Sequence, residues 1–272
     1  MRIIRFVDVA PGIPEQWQEP HWGILVDDAV YAVDQAPYLT GPHTDRPTLH
    51  VIGTPRKLDQ IRLLAPVTPG KLVCVGRNYA EHARELNNPV PSEPVFFLKP
   101  DTSLLVNNKP FYYPPFSNEI HYETEIVLRI CRVGRFIVPQ FAHRYYKEIG
   151  IGIDFTARDL QQKAKEKGLP WEMAKAFEGS APVSAFVPLS EFLDPKRIYF
   201  RLEINGKVVQ QGNTADMLFG FDDLISYVSR FFTLKTGDLL FTGTPPGVGH
   251  VQKGDRLQAF LEDKLMLNFR II

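Results

Sequence analysis

Two glutamates separated by one residue are the clearest sign of chemistry in this sequence. Glu123 and Glu125 stand at the start of an apolar run. Alternate side chains of a strand share a face, so the two carboxylates would lie about 7 Å apart on the same side. Two like charges on a partly buried face are costly unless a cation lies between them, and carboxylate oxygens suit Mg²⁺, Mn²⁺ or Ca²⁺. The pattern is compatible with a divalent-metal site, although a solvated strand face is the commoner explanation for such a pair taken alone.

A third acidic residue, Asp154, follows the apolar run Ile149–Ile153 and precedes a helical pattern. Ligand-binding side chains often collect at the carboxyl end of a strand, although Asp154 could instead cap the helix. On that helix Arg158 and Gln161 are three residues apart and share a face, with Lys165 further along. Arg158 could bind a substrate carboxylate with its planar guanidinium, although an exposed helix face would also explain the row.

His82 and Glu85 are three residues apart on a short helical segment. At that spacing the carboxylate can orient the imidazole and raise its basicity, which would make a general base for water. The same spacing is common on protein surfaces. Lys175 lies among apolar neighbours, where lysines usually extend towards solvent, but it could also stabilise a developing oxyanion.

A loop rich in glycine and proline, Gly243–Gly249, follows a predicted strand. Its glycines would allow close approach of the backbone to a ligand, and Thr244 offers a hydrogen-bond donor, although a tight turn would use the same residues. The loop lacks the lysine and spacing of a P-loop. The sequence contains neither a dinucleotide-binding fingerprint nor a Gly-x-Ser-x-Gly elbow, which disfavours dinucleotide chemistry and serine hydrolysis.

The elements that must position these residues are mostly strands, which predicts a β-dominated α+β protein. Besides a hairpin over Gly23–Val33 that turns at Asp27 and Asp28, strands are predicted over Arg2–Val7, Leu72–Val75, Val95–Leu98, Glu123–Ile130, Ile149–Ile153, Tyr199–Ile204, Lys207–Gln211, Asp238–Thr242, Asp255–Leu261 and Leu265–Ile271. Helices are predicted over Tyr79–Leu86, Thr156–Lys167 and Phe221–Phe232. Asn205-Gly206 is typical of a type I′ hairpin turn. Pro66 and Pro69 separate a small β-rich N-terminal domain, residues 1–65, from a larger catalytic domain, residues 66–272.

Charge and cysteine content restrict the class of protein. The 31 basic and 31 acidic residues balance, so neither nucleic acid nor an anionic membrane is an expected partner. Cys74 and Cys131 have no metal-ligand spacing, which argues against a disulfide framework or zinc ribbon and fits a reducing compartment. No signal-peptide pattern and no apolar run of ~18 residues are present. A cytoplasmic protein is therefore expected.

Together these segments resemble the fumarylacetoacetate hydrolase family, in particular its small members that act on acylpyruvates and oxaloacetate. The resemblance covers roughly residues 69–272. It rests on six ordered motifs, namely Val75–His82, Phe97–Pro100, His121–Glu125, Asp154–Asp159, Gly168–Trp171 with Lys175, and Gly243–Pro245 with Gly247. Six motifs in order are far more specific than any one of them.

The resemblance implies a fold, a cofactor and a set of site residues. The expected fold is a mixed β-sheet roll with a few helices, assembled as a homodimer. The expected ligands of Mg²⁺ or Mn²⁺, with Ca²⁺ possible in crystals, are Glu123, Glu125 and Asp154. The expected catalytic residues are His82 and Glu85, which activate water, and Lys175. The expected substrate-binding residues are Arg77, Arg158, Gln161 and Thr244.

The implied activity is metal-dependent chemistry on a small 2-oxo acid through an enolate. Delivery of water by His82 and Glu85 would hydrolyse the C–C bond of an acylpyruvate. Decarboxylation of an oxaloacetate-like acid needs no water, and reprotonation without cleavage would give tautomerisation. One alternative is an isomerase of the 2-hydroxymuconate or 2-hydroxyhepta-2,4-diene-1,7-dioate type. Another is a non-catalytic, β-rich metal-binding module.

Overall fold

The computed structural model describes residues 2–9, 20–34, 50–63, 70–86, 88–106 and 108–272. The chain divides into two compact units, Met1–Thr68 and Pro69–Ile272. Pro66 and Pro69, which the sequence predicts as the boundary, lie outside the described residues.

The N-terminal unit is one antiparallel sheet with the strand order β4-β3-β2-β1-β5. Its strands are β1 Arg2–Asp8, β2 His21–Val26, β3 Ala29–Val33, β4 Arg56–Lys57 and β5 Ile61–Leu63. The predicted hairpin is confirmed as β2 and β3, and Asp27 at its turn has a φ of 51°. Phe6, Val30 and Ala32 lie in the small apolar core of this unit.

The C-terminal unit is built mainly from two sheets. A mixed sheet has the order β14-β11-β10-β17-β6-β7, in which only β17 and β6 are parallel, and a four-stranded antiparallel sheet has the order β16-β15-β19-β20. Smaller sheets are β12-β9-β18 and β13-β8. The strands are β6 Leu72–Gly76, β7 Val95–Lys99, β8 Leu104–Leu105, β9 Ile120–Tyr122, β10 Thr124–Ile130, β11 Tyr146–Ile153, β12 Thr156–Ala157, β13 Ala181–Pro182, β14 Val187–Pro188, β15 Tyr199–Ile204, β16 Lys207–Asn213, β17 Leu239–Phe241, β18 Gly249–His250, β19 Arg256–Leu261 and β20 Lys264–Arg270.

Four α-helices connect or cover these strands in the described residues. They are α1 Ala80–Glu85, α2 Arg158–Lys167, α3 Glu172–Lys175 and α4 Phe221–Phe231. The sequence predicts that α2 starts at Thr156, and this start is wrong, because Thr156 and Ala157 pair with β9 as strand β12. The helix ends as predicted at Gly168, whose φ of 63° is left-handed. None of the helices described has the length and apolar content needed to cross a membrane.

One apolar core joins the two main sheets of the C-terminal unit. It includes Ile126 of β10, Ile151 of β11, Leu202 of β15 and Leu257 of β19, all fully buried, together with Leu224 of α4. The type I′ turn predicted at Asn205-Gly206 is confirmed, since both residues have positive φ. Strands outnumber helices around this core, so the predicted β-dominated α+β class is confirmed.

Candidate active site

Three buried carboxylates meet where β10 and β11 pair. Antiparallel register sets Thr124 opposite Ile153, and the backbone N–H of Asp154 donates to the carbonyl of Glu123 at 2.8 Å. Glu123 lies just before β10, Glu125 within it, and Asp154 just after β11. One carboxylate oxygen from each of the three lies within 4.8 Å of the other two. Glu123 and Glu125 thus face one point because side chains alternate along a strand, and the pairing of β10 with β11 brings Asp154 to the same point.

The chemistry of this carboxylate triad fits a divalent cation. Hard oxygen donors, close together and shielded from water, are the ligands that Mg²⁺ and Mn²⁺ prefer. Oδ1 of Asp154 is buried and accepts no hydrogen bond, although Nζ of Lys99 lies 2.8 Å away in an ion pair. Glu125 accepts one hydrogen bond, from the N–H of Gly243 at 2.7 Å. A cation bound here would satisfy oxygens that protein donors leave unused.

Cations of the protein neutralise two of the three carboxylates. Nζ of Lys175 lies 2.7 Å from Oε2 of Glu123 and 2.7 Å from Oδ2 of Asp154. Nη2 of Arg158 donates to Oε1 of Glu123 at 2.6 Å. In the described residues, no lysine or arginine lies within ion-pair distance of Glu125. The negative charge is therefore least compensated at Glu125.

Because Lys175 and Arg158 pair with Glu123 and not with Glu125, the two glutamates have different pKa values. Burial, followed by the charges of Asp154 and Glu123, raises the pKa of Glu125 well above its ordinary value. Burial also acts to raise the pKa of Glu123, but Lys175 and Arg158 outweigh it and hold that pKa well below its ordinary value. Burial would lower the pKa of Lys175, but the Asp154 and Glu123 carboxylates reverse the effect and raise it. Lys175 is therefore a charged ammonium group at neutral pH.

His82 and Glu85 form a hydrogen-bonding pair on α1, as their spacing predicts. Nδ1 of His82 lies 3.2 Å from Oε2 of Glu85, and the other oxygen, Oε1, accepts from the N–H of Gly247 at 3.0 Å. His82 is buried, with 4% of its surface exposed. Because Nδ1 faces Glu85, Nε2 is the ring nitrogen free for proton transfer.

Most of the predicted site residues surround one small cavity of about 40 Å³. Those that line it are Arg77, His82, Glu123, Glu125, Arg158, Gln161, Lys175 and Thr244. Asp154 and Glu85 do not line it, and they contact it through Lys175 and His82. The structure therefore brings all ten predicted residues to one place.

Three of the predicted substrate contacts, Arg158, Gln161 and Thr244, already have partners in the protein. Nη1 of Arg158 donates to Oε1 of Gln161 at 2.7 Å, while Nε of Arg158 is buried without a hydrogen-bond partner. The hydroxyl of Thr244 donates to the carbonyl of Thr124 at 2.9 Å and accepts from Gln210 at 2.7 Å. Arg158 thus keeps an unused donor, whereas the donor of Thr244 is committed to β10.

Three buried polar residues of the site have no role assigned from sequence. Lys99 binds Asp154 and also donates to the backbone carbonyl of Ser180 at 3.0 Å. Gln210 accepts from the N–H of Thr124 at 3.0 Å and so fixes the start of β10. Asn78 donates to the carbonyl of Thr242 at 2.8 Å, which ties the segment before α1 to the end of β17. The sequence offers a signal for Lys99, which directly follows the apolar run Val95–Leu98, and for Asn78, which lies in the motif Val75–His82, but none for Gln210.

Gly243 occupies a position that no other residue fits. Its φ is 96°, and an added Cβ would lie 2.6 Å from Cβ of Asn78. We expect Gly243→Ala to lower the free energy of unfolding by about 3 kcal/mol, from backbone strain and this clash together. Gly254 has a φ of 97° and open space around its Cβ position. Gly254→Ala should therefore lower the free energy of unfolding, measured in urea, by only about 1 kcal/mol, because backbone strain is its only cost. Equal decreases in the two variants would contradict a contribution from the clash with Asn78.

The sequence of this site and its sheets matches a known family. A family model for the fumarylacetoacetate (FAA) hydrolase C-terminal region matches residues 71–271. The chain belongs to the fumarylacetoacetate hydrolase family. The resemblance drawn from the six motifs is therefore confirmed, and so is the α+β fold that it implies.

The family members that are similar to this chain are named for different reactions. The mitochondrial oxaloacetate tautomerase FAHD1 of Bos taurus is 42% identical over 200 residues, which are 74% of this chain and 90% of the relative. The structure of fumarylpyruvate hydrolase from Pseudomonas aeruginosa in complex with Mn²⁺ and pyruvate has a TM-score of 0.72 and 36% identity, covering 76% of this chain and 91% of that one. The 5-carboxymethyl-2-hydroxymuconate delta-isomerase from Mycobacterium smegmatis has a TM-score of 0.78 and 28% identity, covering 100% of this chain and 99% of that one. All three are named as enzymes, which supports an enzymatic role for this family member.

Proposed function

We propose that this protein is a divalent-metal-dependent enzyme that acts on 2-oxo acids of the oxaloacetate or acylpyruvate type through an enolate. The observation that supports it is the buried carboxylate triad beside Lys175 and the His82–Glu85 pair, all at one cavity. A divalent cation held by the triad would act as a Lewis acid towards the keto oxygen and carboxylate of a chelating 2-oxo acid. The expected cation is Mg²⁺ or Mn²⁺, and the similar fumarylpyruvate hydrolase structure contains Mn²⁺.

Lys175 is the group proposed to stabilise the negative charge of the enolate. Its ammonium is buried and lies between Glu123 and Asp154. A fixed positive charge in a site shielded from water stabilises a developing oxyanion far more than the same charge in solvent would. Nε of Arg158, buried without a partner, is the donor proposed to orient the substrate carboxylate.

His82 is the group proposed to move protons. With Nδ1 held by Glu85, its Nε2 can remove or return a proton at C3 of the substrate, which converts keto and enol forms. The same nitrogen can activate water for attack on the C4 carbonyl of an acylpyruvate, which releases pyruvate and a carboxylic acid. The similar oxaloacetate tautomerase favours the first outcome and the similar fumarylpyruvate hydrolase the second.

A second candidate is isomerisation of a 2-hydroxymuconate-type diene. The observation that favours it is the similarity to the mycobacterial delta-isomerase, which extends over this whole chain and includes its N-terminal unit. Isomerisation also proceeds through a dienolate, so the same residues would serve it. Loss of diene absorbance without release of pyruvate would distinguish this candidate from C–C cleavage.

A substrate panel with and without Mn²⁺ or Mg²⁺ tests the proposed function. Oxaloacetate, acetylpyruvate, fumarylpyruvate and a 2-hydroxymuconate-type diene would be scored separately for enol absorbance, pyruvate and carbon dioxide. We expect turnover of oxaloacetate or an acylpyruvate that requires the metal. Metal-dependent turnover of the diene alone would favour the isomerase, and turnover of none would contradict an enzymatic role.

The His82→Gln variant separates the proposed reactions. Pyruvate release from acetylpyruvate should fall by roughly 10²- to 10⁴-fold, because water loses its general base. Keto–enol conversion of oxaloacetate should also fall, because His82 moves the proton at C3, whereas carbon dioxide release should fall by much less, because loss of carbon dioxide needs no water. His143→Gln, a change at an exposed histidine, is the matched control. Equal losses of pyruvate release from acetylpyruvate and of carbon dioxide release from oxaloacetate in His82→Gln would contradict a role of His82 in activating water.

A further inference from the structure

The active-site cavity contains two kinds of positive side chain. Lys175 and Arg158 are paired with carboxylates of the triad. Arg77 and Lys165 line the same cavity, yet within the described ranges neither forms an ion pair or donates a side-chain hydrogen bond. Nζ of Lys165 lies over the face of Trp171, 5.8 Å from the ring centroid. The cavity thus holds two positive side chains that, in the described part of the chain, form no ion pair with a carboxylate.

The position of Lys165 follows from the helix that supplies the substrate-facing residues. Lys165 comes four residues after Gln161 and seven after Arg158, so the three side chains share one face of α2. Burial lowers the pKa of Lys165, and the charges of Arg158 and Arg77 lower it further. Cations that crowd together in a half-buried site are stabilised when a ligand brings a negative charge.

Arg77 lines the cavity from the end of β6, where it has an uncommon backbone conformation. It follows the last residue of β6, Gly76, and its φ is 59°. A left-handed conformation costs a non-glycine residue free energy, and such residues cluster at binding sites. Arg77 and Lys165 therefore approach one cavity from β6 and α2.

We propose that Lys165 and Arg77 bind the distal carboxylate of a dicarboxylic 2-oxo acid, so that the site selects such acids over those with uncharged tails. This inference rests on the proposed function, in which the triad and Arg158 hold the 2-oxo acid group. An ammonium and a guanidinium together provide charge-assisted hydrogen bonds that a methyl or phenyl tail cannot use.

An apolar cavity next to the site could instead favour substrates with an apolar tail. It measures about 290 Å³ and shares Phe97, Trp171 and Lys175 with the catalytic cavity. Leu98 and Leu169 complete its apolar wall. An acylpyruvate with a large apolar tail would use this space, whose lining does not include Lys165.

Two substrates that differ at a single group test the proposal. Acetylpyruvate has a methyl group where oxaloacetate has a negatively charged oxygen. In Lys165→Met we expect kcat/KM for oxaloacetate to fall by about 10- to 100-fold, the range expected for loss of a charged hydrogen bond. For acetylpyruvate it should change by less than about 3-fold. Lys165→Arg should recover much of the loss, and Lys167→Met, an exposed change on the same helix, should behave like the wild type.

A binding measurement separates failure of this inference from failure of the proposed function. With Mn²⁺ present, calorimetry would compare 2-oxoglutarate with 2-oxopentanoate, which replaces the distal carboxylate by methyl and requires no turnover. The wild type should bind 2-oxoglutarate at least about 10-fold more tightly, and Lys165→Met should remove the difference. Equal binding of the two acids by the wild type, or a preference that survives in Lys165→Met, would overturn the proposal even if oxaloacetate is turned over.

Discussion

Replacement of Glu125 by glutamine should abolish binding of Mn²⁺ and lower kcat/KM by about 10³-fold or more. Glu125 is the triad member without a cationic partner, so its negative charge is the one most available to a metal ion. Glutamine keeps the shape and can still accept from the N–H of Gly243, which at present donates to Oε2 of Glu125 at 2.7 Å. Loss of activity would therefore report loss of charge. Calorimetry of Mn²⁺ binding and steady-state kinetics are the measurements, with the exposed Glu119→Gln as control.

The same variant should make the metal-free protein more stable and less sensitive to pH. Because burial and the charges of Asp154 and Glu123 raise the pKa of Glu125, the folded chain holds this proton more tightly than the unfolded chain does. The resulting stability is fully present below the ordinary carboxyl value of 4.5 and is lost as the pH rises through the higher folded-state pKa. As the pH rises from 4.5 to the raised pKa of Glu125, the melting temperature of the metal-free wild type should fall more than that of Glu125→Gln. If the melting temperatures of the two proteins changed with pH in the same way, the raised pKa of Glu125 would be contradicted.

Replacement of Lys175 by methionine should affect catalysis and metal binding in opposite directions. We expect kcat to fall by roughly 10²- to 10³-fold, because the enolate loses its fixed positive charge. The affinity for Mn²⁺ should rise, because the ammonium that bridges Glu123 and Asp154 at 2.7 Å no longer repels the incoming cation. Calorimetry gives the affinity, and turnover at saturating metal gives kcat.

The control for this variant is Lys147→Met, a change at an exposed lysine of β11. It should leave both the affinity and kcat unchanged. Unchanged kcat in Lys175→Met would contradict the role in enolate stabilisation. Weaker metal binding in that variant would instead mean that Lys175 organises the triad.

The convergence of the triad could be predicted because its causes are local. Alternation along a strand puts Glu123 and Glu125 on one face, and the apolar run before Asp154 marks the end of another strand. The spacing of His82 and Glu85 on a helix is equally local. Six motifs in order then identified the family, which the match over residues 71–271 confirms.

The supporting hydrogen bonds could not be predicted because they join distant parts of the chain. Lys99 reaches Ser180, Gln210 reaches the backbone of Thr124, and Asn78 reaches that of Thr242. Local patterns contain no information on such pairs. The early start predicted for α2 fails for the same reason, since pairing of Thr156 with His121 depends on a strand elsewhere in the sequence.

The Gly/Pro loop after β17 restrains two carboxylates at once. Near its start, the N–H of Gly243 holds Glu125, and four residues later the N–H of Gly247 holds Glu85. Both glycines have a φ above 90°. An insertion or deletion between them would shift one anchor relative to the other, so the loop has little tolerance for change in length. Diversification of this enzyme towards new substrates is therefore expected to alter the helices around the cavity before it alters this loop.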